Sequence, residues 1–315
     1  MDYQRLGNTG LRVSRLCFGA LTIGPLQANM PLSAGASVIR AALETGVNFI
    51  DTAQLYGTYP YIREALRHWP AEVIIATKSY DYTAEGMAKS LAEARRALDR
   101  DVVDIFLLHE QESLLTFRGH APAYHYLLEA KAKGLIRAVG ISTHSVRMVE
   151  TAAALPEIEV VHPLYNRRGI GIMDDTAEAM HRAITRAGQA GKGIYGMKAL
   201  GGGHLFQTAA EEFRFVLGHP YIQAIAVGMK TPEEVALNCA IFSGSAVSPE
   251  MAARVQAQPR RLHVDAWCRG CGSCADHCPN GALSVQDGRA AADMTRCVFC
   301  GYCVAYCPDF CIKVV

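Results

Sequence analysis

What this sequence most clearly lacks is an excess of charge of either sign. Its 31 lysines and arginines stand against 30 aspartates and glutamates, with no basic stripe and no acidic tail. Nucleic acid and anionic membrane are therefore not the expected partners. Long apolar runs are missing too, and none approaches the roughly 20 residues of a membrane span. The opening Met1-Asp2-Tyr3-Gln4-Arg5 lacks the charged-then-apolar pattern of a secretory leader. A soluble, cytoplasmic protein is expected. Cysteine is scarce over most of the chain: Cys17 and Cys239 stand alone, and the other nine lie between Cys268 and Cys311. That clustering reads as metal binding rather than disulfide bonding, in a tail with chemistry of its own.

What is present is a regular alternation. Half of the 315 residues are apolar, enough for one large domain and a small one. After a hairpin signal at Asn8 to Gly10, eight short apolar runs alternate with helix-like segments. The runs are Arg15 to Phe18, Val47 to Ile50, Val73 to Ala76, Val102 to Leu108, Arg137 to Ile141, Ile158 to Val161, Gly193 to Met197 and Ala224 to Val227. Strand-helix alternation means a parallel sheet, and eight units match a (β/α)8 TIM barrel. An open doubly wound sheet is the alternative. It wants a Gly-rich fingerprint after its first strand, and Phe18-Gly19-Ala20-Leu21 does not supply one. The expected organisation is a barrel over residues 1–242, a linker over 243–261 and a cysteine-rich domain over 262–315. The stretch Ser243 to Pro259, rich in Gly, Ser, Pro and Gln, reads as linker or irregular crossing.

Catalytic residues of such barrels sit at the C-terminal ends of several strands. The second run ends on Asp51, with Tyr56 in the following loop; the third ends near Lys78, and the fourth on His109. Singly, each has a plain explanation: a helix cap, a loop tyrosine, a solvated strand end, a satisfied histidine. Jointly they suit carbonyl chemistry. Tyrosine is a weak acid with a pKa of about 10, and a neighbouring ammonium is expected to lower it. Asp51 would fix Lys78, His109 would orient a carbonyl oxygen, and Tyr56 would protonate it as hydride arrives at carbon. General acid catalysis of this kind contributes about 10² to 10⁴ in rate.

Residues 3 to 241 resemble the aldo-keto reductase superfamily. The matching pieces are Leu6 to Gly10 with Val13-Ser14, Asp51 to Gly57, Ala76 to Lys78, Leu107 to His109, Gly140 to Ser142, Tyr165-Asn166 and Lys198 to Gly203. The resemblance implies that Asp51, Tyr56, Lys78 and His109 form a catalytic tetrad and that NADP(H) or NAD(H) crosses the barrel mouth. Its cofactor contacts would fall on Ser142, His162, Met197, Gly201, Gly202, Gly203, Lys230 and Asn238. Several positions depart from the family pattern. Thr143 stands for an Asn, His162 for a Gln, Met197 for a stacking aromatic, and Glu234 for an Arg that grips a 2′-phosphate. Glycines 201 to 203 would let backbone approach a pyrophosphate, or form a flexible loop. Arg167 and Arg168 would clamp an anion, or be a solvated loop pair.

The tail reads Cys268-x₂-Cys271-x₂-Cys274-x₃-Cys278-Pro279, then Cys297-x₂-Cys300-x₂-Cys303-x₃-Cys307-Pro308. Paired Cys-x₂-Cys also binds zinc, but zinc needs neither the third cysteine of each run nor the Cys-Pro. Residues 262 to 315 resemble two-cluster bacterial ferredoxins over their whole length, a small ferredoxin-like domain with two [4Fe-4S] clusters. In that arrangement the fourth cysteine of each run serves the other cluster. The implied ligand sets are Cys268, Cys271, Cys274 and Cys307, and Cys297, Cys300, Cys303 and Cys278. Cys311 is extra and reads as a buried filler.

The expected function is an iron-sulfur oxidoreductase that interconverts a small carbonyl compound and its alcohol, with the clusters linking it to another electron carrier or redox partner protein. The alternative is an electron-transfer or redox-sensing module whose barrel only binds a cofactor or partner. A third possibility is clusters that are purely structural.

Overall fold

The computed structural model describes residues 1–258, 260–297, 299 and 301–314. Cys300, an expected cluster ligand, lies outside the described residues, as does the last residue of the expected linker stretch, Pro259. Eight parallel strands close into a barrel in which each pairs with its sequence neighbour and the last pairs with the first. They are β1 (Leu16–Gly19), β2 (Phe49–Asp51), β3 (Ile74–Ser79), β4 (Val103–Leu108), β5 (Ile136–Thr143), β6 (Val160–Pro163), β7 (Gly193–Gly196) and β8 (Ala224–Gly228). The expected (β/α)8 barrel is therefore the fold, and the doubly wound alternative is excluded.

Side chains alternate across each strand. Phe49, Ile74, Ala76, Ile105 and Leu107 face inward and form the barrel interior with Cys17, Ala138, Val160 and Tyr195. Ile50, Ile75, Phe106, Leu108, Val139 and Val161 face outward and join the larger core beneath the helices. A hairpin of Tyr3–Arg5 with Arg12–Ser14 precedes β1. Its Leu6, Leu11 and Val13 belong to the inner core, and Asn8 bonds the carbonyl of Gly191, just ahead of β7. The hairpin therefore plugs the N-terminal end and leaves the C-terminal end as the mouth.

The crossover helices begin where the sequence offers caps. The hydroxyls of Thr83, Ser145, Thr176 and Thr231 each accept a hydrogen bond from a backbone N–H in the first turn that follows. The loop after β4 contains a six-residue helix, Leu114–Gly119, capped by Ser113. One local expectation needs correction. The expected linker contains the helix Pro249–Gln256, packed on the helix Pro232–Phe242. Ser248 accepts from Met251 N, and Pro249 opens the first turn, where no N–H is needed. Composition alone hid that start signal.

The tail folds around two small antiparallel sheets: Leu262–Val264 pairs with Ile312–Val314 from the far end of the domain, and Leu283–Gln286 forms a hairpin with Arg289–Ala292. Its core joins Cys274 and Cys303 to Leu283, Val304 and Ile312. Among the described residues, no helix is long and apolar enough to cross a membrane.

Candidate active site and cluster domain

The inward register places the chemistry. Two residues beyond Phe49 comes Asp51; two beyond Ala76, Lys78; two beyond Leu107, His109; two beyond Val160, His162. The side chains that finish the barrel interior at its mouth are therefore polar. Lys78 is 1% exposed and donates to Asp51 Oδ1 at 2.6 Å and to the carbonyl of Thr52 at 2.7 Å. The Lys78 ammonium lies 5.2 Å from the centre of the Tyr56 ring, and that ring meets His109 edge-on at 5.7 Å. All four expected tetrad residues converge.

Tyr56 ends a short 3-10 turn, Gln54–Tyr56, which closes at Gly57 with φ of 65°. Gln54 anchors the turn: its Oε1 accepts from Ser79 and Ser90, and its Nε2 donates to Glu93. The phenol is thereby held over β3 by side chains of β3 and the helix Ala84–Leu98.

One electrostatic expectation is overturned. The Tyr56 phenol is pushed well above its ordinary value, first by burial and then by the Asp51 carboxylate, rather than lowered by Lys78. The ammonium is already spent on Asp51 and Thr52, and its neutralising partner opposes a phenolate. Burial holds His109 well below the usual histidine range, aided by Lys78. Among the described residues, its Nδ1 has no hydrogen-bond partner. The mouth thus offers a protonated phenol and a neutral imidazole.

Two groups of residues join the site unannounced. Tyr195, fully buried, donates to Asp51 Oδ1 at 2.9 Å and stacks on His162 at 3.9 Å. His162 Nδ1 bonds the carbonyl of Tyr195 at 2.6 Å, and burial lowers its pKa to about 4. The Gly193-Ile194-Tyr195 alternation carried that signal, since Tyr195 must point inward. The second group centres on Glu110, next to His109 and held at φ 53°. Its carboxylate accepts from Tyr80 OH at 2.6 Å and meets His144 Nδ1 at 3.0 Å, while Tyr80 stacks on His109 at 4.2 Å. Burial, then Lys198, lower the His144 pKa to about 3, so its 3.0 Å contact with Glu110 is not an ion pair.

The expected cofactor residues are scattered around this mouth. Ser142 is buried, and its Oγ accepts from Glu110 N at 2.8 Å. Met197 lies two residues beyond Tyr195 and bonds Pro163 through its backbone. Lys230 N donates to Glu234 Oε2 at 2.7 Å, and burial of Lys230 is accompanied by the nearby charges of Glu234, Arg260 and Arg261. Asn238 is half-buried on the helix Pro232–Phe242. Glycines 201 to 203 turn through φ of 57°, 69° and 106°. A Cβ on Gly202 would lie 2.6 Å from the Phe310 ring, so part of this loop's open space holds the tail domain. Arg167 is committed to the buried Glu212 at 2.6 Å, while Arg168 is exposed.

In the tail, Cys268, Cys271, Cys274 and Cys307 rim one hollow, together with Asp309, Cys311 and Ile312. Cys278, Cys297 and Cys303 rim a second. The described cysteines thus fall into the two groups of the crossed pairing. Backbone N–H groups of Ala282 and Cys311 donate to the sulfurs of Cys278 and Cys307, each at 3.2 Å. Thiolates spread around a hollow and fed by N–H donors fit a cuboidal cluster. Among the described residues, no three metal-ligating side chains converge as one ion requires.

The family model described as "Aldo/keto reductase family" matches residues 15–216. The chain belongs to this family. A second model, "4Fe-4S dicluster domain", matches residues 262–308. Among curated relatives, aldo-keto reductase YhdN of Bacillus subtilis is 28% identical over 182 residues, 53% of this chain and 54% of that protein. L-galactose dehydrogenase of Arabidopsis thaliana is 30% identical over 154 residues, 45% of this chain and 48% of that protein. The chain thus spans about half the length of the curated relatives it matches. Among solved structures, a Pseudomonas aeruginosa protein assigned to the aldo-keto reductases superposes with a TM-score of 0.67 at 26% identity, covering 77% of this chain and 94% of its own. The holo form of a Bacillus halodurans aldo-keto reductase shares the fold at 19% identity, with a TM-score of 0.65, covering 81% of this chain and 95% of its own.

Proposed function

We propose that this aldo/keto reductase family member interconverts a small carbonyl compound and its alcohol by hydride transfer, and that two [4Fe-4S] clusters link it to another electron carrier. The observation that carries the reading is the buried Lys78–Asp51 pair beneath Tyr56, with His109 against the same ring. A bound nicotinamide supplies the hydride. Lys230, with Arg260 beside it, offers cationic groups that fit a phosphate-bearing form, and Ser142, His162, Met197, Gly201, Gly202, Gly203 and Asn238 are the other proposed contacts.

In this mechanism the carbonyl oxygen enters between Tyr56 and His109. The neutral imidazole orients it, and the phenol donates its proton as negative charge develops. The phenolate that is left faces the Lys78–Asp51 pair, in which the Asp51 carboxylate offsets the ammonium 5.2 Å from the centre of the Tyr56 ring. In the alcohol direction the same phenol must first lose its proton, which the buried setting opposes. The cysteines hold the clusters in the tail, where they supply one-electron storage. Cluster ligation also provides folding free energy to the small domain.

Steady-state turnover of cluster-loaded protein with a panel of aldehydes and NADPH tests the reading. Tyr56→Phe should lower kcat by about 10² or more; equal turnover in the variant and the parent protein sinks it. The position of Phe310 in the glycine loop favours a second reading, a redox module whose barrel binds no nicotinamide. Fluorescence titration with NADPH separates the two, because that reading requires no saturable binding.

A further inference from the structure

The dicluster domain is seated on the barrel mouth through Phe310, a residue that none of the proposed chemistry uses. Phe310 follows Asp309 and precedes Cys311, two residues that rim the hollow of Cys268, Cys271, Cys274 and Cys307, and its N–H bonds the carbonyl of Cys307 at 3.3 Å. Its ring leaves the tail and enters the barrel loops. A Cβ on Gly171 would lie 2.6 Å from it, and so would one on Gly202, so two glycines on separate loops make room for it. His204 lies 5.6 Å away, ring to ring. Above the ring face, at 4.3 Å from its centre, sits the ammonium of Lys198.

Lys198 belongs to the other side. It lies two residues past the end of β7, with φ of 54°, a conformation that side-chain-bearing residues adopt only when their surroundings hold them there. After burial, Lys198 helps to lower the pKa of His109, His144 and His162; burial lowers its own to about 8, which Glu110 opposes and Lys313 assists. Glu110 is the residue next to His109 and holds Tyr80 flat against that imidazole through the Tyr80 hydroxyl. One ammonium therefore stands between the tetrad and the cluster hollow, stacked on a ring whose backbone bonds a cluster cysteine.

The geometry points to the Phe310–Lys198 contact as the coupling point between the two domains, through which the charge state of the cluster held by Cys268, Cys271, Cys274 and Cys307 is sensed at the reductase site. The inference rests on the proposed occupancy of that hollow by a [4Fe-4S] cluster. Reduction takes one electron from an external one-electron donor, breaks no bond and adds one negative charge beside Phe310. The Lys198 ammonium stabilises that charge, and the Glu110 carboxylate opposes it. Coupling between two sites is reciprocal, so groups that change the charge at the mouth must move the reduction potential of the cluster. Lys198 acts here as a coupling residue and not as a catalytic one.

The test is an EPR-monitored redox titration of the full-length, cluster-loaded protein with dithionite, with iron content and visible absorbance matched between variants. Lys198→Met should weaken electron uptake at one of the two clusters on the order of tenfold, about 59 mV downward for a one-electron couple. Glu110→Gln should move the same cluster upward, while Lys89→Met, on an exposed lysine paired with Glu85 on the outer helix Ala84–Leu98, should move neither. Where Lys198→Met loses its clusters, Lys198→Gln takes its place, and Lys198→Arg should restore the parent potential. Opposite signs at positions 198 and 110 are what a merely structural role would not give. Unshifted potentials in both variants, or shifts of the same sign, overturn the inference. Potentials need no turnover, so failure of the reductase reading leaves this test intact.

Discussion

Tyr195→Phe is the sharpest test of how the tetrad is held. The substitution keeps the ring, which is packed at 4.9 Å against Phe49 and stacked on His162, and removes a single hydroxyl. That hydroxyl donates to Asp51 Oδ1, the same oxygen that takes Lys78. A hydrogen bond to a charged group contributes about 1.5–3 kcal/mol. Because Asp51 keeps Lys78, the loss should fall near the lower end, about 1.5 kcal/mol. If Tyr195 fixes the carboxylate, and through it the ammonium, kcat should fall about tenfold with KM nearly unchanged. A double-mutant cycle supplies the sign. In a Lys78→Met background Tyr195 becomes the remaining strong donor to Asp51, so its removal should cost more there, with a coupling of about 0.5–3 kcal/mol. Urea unfolding followed by intrinsic fluorescence reads the barrel, with cluster absorbance followed separately because the two domains need not unfold together. A Tyr195→Phe protein within about 0.5 kcal/mol of the parent, with unchanged kcat and no coupling to Lys78, would refute the reasoning.

Two further expectations follow from the geometry. Since burial and Asp51 raise the Tyr56 phenol, the proton donor stays protonated, and kcat for carbonyl reduction should be flat from about pH 6 to about pH 9; a fall with an apparent pKa inside that window, absent from Tyr56→Phe, would show that Lys78 wins instead. Gly202→Ala combines a left-handed backbone with a Cβ 2.6 Å from Phe310, and should cost about 2–4 kcal/mol at the domain contact; limited proteolysis across residues 243–261 should accelerate, and parent-like cleavage would contradict the described seat of Phe310.

The barrel was legible because its signal is periodic. Each apolar run of about four to seven residues repeats between helical segments, and closure follows from eight of them. The tetrad was legible for the same reason, since Asp51, Lys78 and His109 end consecutive runs in the inward register. Tyr195 sits in that register too, but its role depends on the distance across the barrel to Asp51, and strand alternation gives direction without distance. The fate of the Tyr56 proton was misread because proximity to an ammonium says nothing about what else the ammonium holds; the bonds to Asp51 and Thr52 decide it. The helix Pro249–Gln256 was missed because its packing on the barrel's last helix is tertiary, although Ser248-Pro249 carried a start signal.

Least legible was the relation of the two domains. Spacing alone predicts eight thiolates and two clusters, but spacing is local and cannot place a ferredoxin on a barrel. The docking depends on small residues at separate points in the chain. Gly171 follows β6 and Gly202 follows β7, and each clears space for one ring from residue 310. Read alone, glycines 201 to 203 suggest room for a pyrophosphate; beside Phe310, the same missing side chains give room for protein. The two uses need not exclude each other along a loop of three glycines, because Gly201 packs against Ile170, Gly202 against Phe310 and Gly203 against Val304. If the proposed cofactor contacts hold, nicotinamide affinity and domain docking share this loop. A variant that loosens Phe310 should therefore change both, and cofactor binding in this chain has to be measured on the full-length, cluster-loaded protein rather than on an excised barrel.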